Sequence, residues 1–115
     1  MNDIWTPIFA RGAEFEEVVT ISAWPSSFPA LNTATDWRFI VSQPDTAAFV
    51  TATTANYITL NVAKTVGTIK IPAAVTALFP LGHARFDLEI IFPGSVVKRI
   101  FSLGSAQVNT YAGAV

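Results

Sequence analysis

Residues 68–103, TIKIPAAVTALFPLGHARFDLEIIFPGSVVKRIFSL, decide how this chain folds. Residues 68–71 form a short strand that closes on Pro72. Residues 72–79 have room for about two helical turns, with Pro72 at a first helical position, where the missing N–H costs nothing. Leu81-Gly82 turns the chain into a long strand over 83–92. Side chains alternate across a strand, so Phe86, Leu88 and Ile90 share one face, and Arg85, Asp87 and Glu89 share the other. Pro93-Gly94 reverses the chain, and residues 95–103 return.

Working outward, the same two-residue period recurs. Residues 14–22 place Phe15, Val19 and Ile21 on one side and Val18 and Thr20 on the other. Residues 36–43, DWRFIVSQ, set Trp37, Phe39 and Val41 against Arg38, Ile40 and Ser42, with the aromatic and β-branched residues that suit a pleated surface. Short strands are expected at 47–53, around Phe49 and Val50, and at 57–62, where Ile58, Leu60 and Val62 alternate with Tyr57, Thr59 and Asn61. Residues 64–67 read as a tight link, and a last short strand spans 105–110. Residues 23–35, with two prolines and no period, read as a loop carrying Trp24 and Phe28. Seven or eight short strands at this spacing, with turn signals between them and one short helix, specify an all-β sandwich or barrel. The expected domain covers 13–110, preceded by an N-terminal arm (1–12) and followed by a tail (111–115).

Composition bounds the function. A chain of 115 residues is one domain. It has no cysteine, which excludes disulfide frameworks, thiolate metal sites and cysteine nucleophiles. Charged residues make up 13% of the chain, about half the usual share. A small surface so poor in charge suits a protein partly covered by other chains. The net charge is −1, with scattered Lys and Arg, so nothing suggests a nucleic-acid partner. No apolar run reaches the length of a membrane span, and the N-terminus lacks the features of a signal peptide. The chain is expected to be made in a cytoplasm.

Candidate chemistry is sparse. His83 is the single histidine; without an orienting carboxylate or a second ligand it reads as a polar residue at the start of a strand. Glu14, Glu16 and Glu17 have no cleft or partner that would make them acid/base groups. Asp87 and Glu89 point the same way beside Arg85 and read as a charged outer face, the rim of a contact. No catalytic, metal or cofactor-binding residue is assigned. The candidate interface residues are Trp5, Ile8, Phe9, Trp24 and Phe28: three from the arm, which carries no charge from Ile4 to Ala10, and two from the loop. The arm either docks on a neighbour or lies along its own domain as an edge strand, and the loop either presents its aromatics to a partner or folds over an end of the sandwich. Trp5, Trp24 and Trp37 would be the stacking platforms if the domain bound sugar.

A longer pattern resembles a group of small bacteriophage virion proteins. It comprises Ile71-Pro72, a helix reading Ala73 to Ala77, Leu81-Gly82, the aromatic-Asp-Leu-Glu run Phe86 to Glu89, Gly94, and the alternating close Gly104 to Val108. Arg11-Gly12-Ala13-Glu14-Phe15 and Trp37-Arg38-Phe39 fit the same pattern more loosely. The resemblance covers about a third of the chain with its specific part, and it is carried by fold-determining residues. It implies an immunoglobulin-like β-sandwich with a short helix near 72–79. It also implies a structural protein of the virion, in the tail at a baseplate or fibre attachment, that works with other virion proteins in a homo-oligomer or multi-copy assembly. A capsid decoration protein is the alternative, and a carbohydrate-binding module a more distant one.

Phe86, Leu88 and Ile90 are expected in the core, with Trp37, Phe39 and Val41 facing them, and this assignment makes a direct prediction. Leu88→Ala should destabilise the fold by about 2–5 kcal/mol; a loss well under 1 kcal/mol in denaturant melts would show that Leu88 is not in the core.

Overall fold

A computed structural model of the chain describes residues 6–21, 24–43 and 48–110, with the backbone alone for 101–105 and 110. In chain order the elements are β1 (Ile8–Arg11), β2 (Phe15–Thr20), a single 3-10 turn (Leu31–Thr33), β3 (Asp36–Ser42), β4 (Val50–Ala52), β5 (Ile58–Leu60), β6 (Val66–Ile71), α1 (Ala73–Thr76), β7 (Gly82–Phe92) and β8 (Val96–Thr110).

The strands form two sheets, ordered β1-β8-β7-β3-β4 and β2-β6-β5. Every described pairing is antiparallel except β1 with β8, which is parallel. From β2 onward the chain visits the small sheet, the large sheet twice, the small sheet twice, and the large sheet twice. Lettered B, C, C′, D, E, F and G, these strands give the two-sheet partition of an immunoglobulin-like sandwich of the variable type, including the buried Trp on strand C. The fold is therefore the expected all-β sandwich.

The long-strand alternation holds. Trp37, Phe39, Val41, Phe86, Leu88 and Ile90 are all buried. Trp37, Phe39 and Val41 lie beside Ile90, Leu88 and Phe86 as cross-strand partners in one sheet, so they do not oppose them across the core. The opposing layer comes from the small sheet, with Phe15, Ile58, Ile69 and Ile71. The two layers come into close contact at Gly67. Position 67 was expected in a link, but it lies inside β6, paired with Val19 and Leu60. A Cβ there would fall 2.5 Å from Cζ3 and 2.7 Å from Cε3 of Trp37. Position 67 is glycine because the indole of the other sheet occupies that space.

Several boundaries differ from the sequence reading. The expected separate strand over 105–110 is the end of a continuous β8. Register shifts opposite Phe86, Leu88 and Glu89 let one strand stay paired along the whole of β7. The helix is shorter than 72–79: Pro72 caps it, its carbonyl accepting from the amides of Val75 and Thr76. Pro80 disfavours helix at the residue before it, and the last bonds tighten to Leu78→Val75 and Phe79→Thr76. Val62 is fully exposed in the turn after β5, so the alternation assigned to 57–62 ends at Leu60.

Of the two readings of the arm, the structure takes the edge strand, and this corrects the interface assignment of Phe9. β1 hydrogen-bonds to β8 as an edge strand of its own domain. Phe9 is fully buried, with ring centroids 4.3 Å from Phe15 and 5.3 Å from Phe79. Only an edge-strand position gives this segment both a backbone partner and a pocket for its aromatic ring, so Phe9 is core and not a partner contact. Trp5 and the tail 111–115 lie outside the described residues.

The Trp37–Gly67 contact predicts that Gly67→Ala destabilises the fold by about 1–3 kcal/mol through overpacking. Trp37 is fully buried and cannot swing aside. Unchanged denaturant melts would show that the sheets can part at this point.

Candidate interaction surface

One end of the sandwich is made by the loop before β3 and the β7–β8 hairpin. Trp24 is half-buried. Its indole N–H donates to the Pro29 carbonyl at 2.8 Å, and its ring stacks edge-on to Phe28 at 5.3 Å and lies 6.0 Å from Phe92. The Lys98 ammonium sits 4.5 Å above the Phe28 ring, a cation–π contact. Trp24 and Phe28 therefore spend much of their surface closing their own sandwich. Among the interface candidates described, Ile8 remains freely presented, with 60% of its surface exposed on the edge strand.

The opposite end has a different character. Residues 71–82, IPAAVTALFPLG, contain no charged side chain. Thr76 and Phe79 face inward. The buried Thr76 hydroxyl donates to the Ala13 carbonyl at 2.7 Å and accepts from the Gly12 amide at 3.2 Å, which ties the helix to the β1–β2 turn. Everything that does not serve this anchor points out: Ala73, Ala74 and Ala77 are exposed, Leu78 is 83% exposed, and Leu81 is 48% exposed. An uncharged, outward-facing leucine pair in the turn that follows a short anchored helix is a surface suited to another protein.

The outer face of the large sheet carries the remaining feature. Glu89 was expected on a charged rim, yet it is 4% exposed. The register places Arg38 of β3 and Arg99 of β8 on either side of it. Arg38 brings Nε and Nη2 each to 2.8 Å from Oε1, and Arg99 donates from Nε to Oε2 at 2.8 Å. Burial acts to raise the Glu89 pKa. The hydrogen bonds from Arg99 and Arg38, with their charges, outweigh it and hold the carboxyl below its ordinary 4.5. The same contact raises the Arg99 pKa further. The sequence shows three charges on three separate strands; only the strand register makes them one row.

His83 is exposed at the start of β7. Glu14 and Glu16 are also exposed, as expected, with Lys70 4.0 Å from Glu14. Among the described residues, no three His, Cys, Asp or Glu side chains come together as a metal site.

Because the folded-state pKa of Glu89 is depressed, its ionised form stabilises the fold above the unfolded carboxylate range. That contribution is lost as pH falls through the folded value. Glu89→Gln should cost about 1–3 kcal/mol near neutral pH, and the difference from the parent should shrink in melts carried below pH 4.5. A difference that stays constant with pH would show that the charge does not matter.

No protein-family model matches the chain, and no curated protein matches it.

Proposed function

We propose that this chain is a structural protein of a bacteriophage virion, a tail component at a baseplate or fibre attachment that acts through contacts with other virion proteins. The observation that carries the reading is the uncharged end of the sandwich, where Leu78 and Leu81 stand out from the turn after a helix that is locked to the domain. The pattern from Ile71-Pro72 through Gly104 to Val108, which resembles phage virion proteins, includes this same segment. The low charge content supports a surface partly covered by neighbours.

The physical work is modest per contact. Burying an exposed leucine is worth about 1.5–3 kcal/mol. Repetition around a symmetric particle converts weak single contacts into a firm attachment. Pre-anchoring matters here, because Thr76 and Phe79 fix the helix before any partner arrives, so little ordering entropy remains to oppose binding. A sugar-binding reading is less favoured: Trp37 is fully buried, and the Trp24 N–H is held by Pro29.

Leu78→Asp tests the reading, since a residue so exposed can change without loss of fold. The parent chain should co-purify with tail structures in particles separated by density and imaged by electron cryo-microscopy. The variant should melt like the parent but be at least tenfold depleted from them. Density for the chain on the capsid shell would make it a decoration protein. Absence of the parent chain from particles would overturn the proposal.

A further inference from the structure

The outer face of the β1-β8-β7-β3-β4 sheet has a composition that the tail-protein reading does not use. By strand parity, three cations (Arg38, Arg85 and Arg99) and three anions (Asp36, Asp87 and Glu89) point outward from β3, β7 and β8. The face is therefore neutral. Its charges are also largely satisfied before anything docks. Glu89 is held by both flanking arginines. Asp36 Oδ1 accepts from the Thr54 amide at 2.9 Å and from its hydroxyl at 2.8 Å. Asp87 acts favourably on Arg99. Between these charges lie Ile40, Ile91 and Val97, all partly exposed, with Val97 at 38%.

Charges already paired, as in the Arg38–Glu89–Arg99 row, can be covered by a partner without leaving an ion buried alone, which is the usual reason charged faces resist burial. The partner's own charge is constrained as well. A strongly acidic or basic surface gains nothing from a neutral face, whereas a surface of the same balanced composition meets no net repulsion. Size separates this face from the uncharged end. Its strands run from 3 residues in β4 to 15 in β8, and at about 3.3 Å per residue and 4.8 Å between strands they cover roughly 630 Å² in plan. That is close to the ~800 Å² per partner buried by a standard interface. The four-residue helix at the other end is far smaller.

We infer that the outer face of the five-stranded sheet, centred on the Arg38–Glu89–Arg99 row, is an isologous docking surface for a second copy of this chain. The contact is face to face and two-fold symmetric, so each copy offers the same row and the same apolar side chains. Ile40, Ile91 and Val97 supply the desolvated contact, and the paired charges set its orientation. This inference does not rest on the virion reading, and it leaves the Leu78 end of each copy free for a different partner.

The test uses the full 115-residue chain in solution. Sedimentation velocity from low micromolar to near-millimolar concentration should show a monomer–dimer equilibrium. Val97→Asp should raise its dissociation constant at least tenfold without changing the melting behaviour of the monomer, while Leu78→Asp leaves it unchanged. The chain has no cysteine, so single variants Val97→Cys and Leu78→Cys give a second readout under reducing conditions. Thiol labelling at 97 should slow as concentration rises, and labelling at 78 should not. A monomer at every concentration overturns the inference. So does a dimer that survives Val97→Asp, or one that Leu78→Asp abolishes, which would move the contact to the uncharged end. A dimer through the sheet face in a chain absent from particles would sink the virion reading alone.

Discussion

The Trp37 ring fills the space that any side chain at position 67 would need. That single contact limits how closely the two sheets approach where β3 and β6 begin. Burying an aromatic of this size removes about 150–250 Å² from water, about 4–6 kcal/mol at the usual coefficient. It carries a cost: the indole N–H is buried with no hydrogen-bond partner among the described residues, and an unpaired buried donor is worth about 1–3 kcal/mol against the fold. The gain exceeds the cost only while the ring is fully enclosed. This explains why a glycine is tolerated inside β6, where it would otherwise weaken a strand. The surrounding side chains, Phe39, Leu88, Ile69 and Ile71, pack in the same two layers.

A second enclosure governs the surface. Phe9, Phe15, Phe39 and Phe79 form a ring cluster beneath α1, with Phe49 5.5 Å from Phe79. Phe9 enters it from β1 and Phe79 from the turn after the helix. The Thr76 hydroxyl bonds both backbone groups of the β1–β2 turn that would otherwise lack partners. With its inner face consumed in this way, the helix presents alanines outward, and Leu78 and Leu81 stand exposed in the turn that follows it. This apolar surface is thus a by-product of how the N-terminal strand is held.

Charge is used sparingly and in pairs. The Arg38–Glu89–Arg99 row spans three adjacent strands and holds them across the outer face. Such a row contributes less net stability than its contacts suggest, because burying the carboxylate costs solvation. Its larger effect is on register. A one-residue slip of β3 or β8 against β7 would turn an arginine to the opposite face and take from Glu89 one of its two partners.

The alternation of Phe86, Leu88 and Ile90, and of Trp37, Phe39 and Val41, was sufficient to specify two buried-face strands. Pro72, Gly82 and Gly94 marked where elements begin or end. These features are local: a period of two and a fixed or freed backbone angle are properties of neighbouring residues. The exposed Glu14 and Glu16 were legible for the same reason. Three things were not legible. Phe9 reads as an apolar residue on an arm, and its burial depends on β8, about 100 residues later in the chain, offering an open edge. Gly67 reads as a turn residue, and only the opposite sheet reveals that it makes room for Trp37. Glu89 reads as a rim carboxylate, and its burial requires Arg38 and Arg99 to arrive in register from two other strands. In each case the deciding partner is distant in sequence, so no window along the chain contains both halves of the contact.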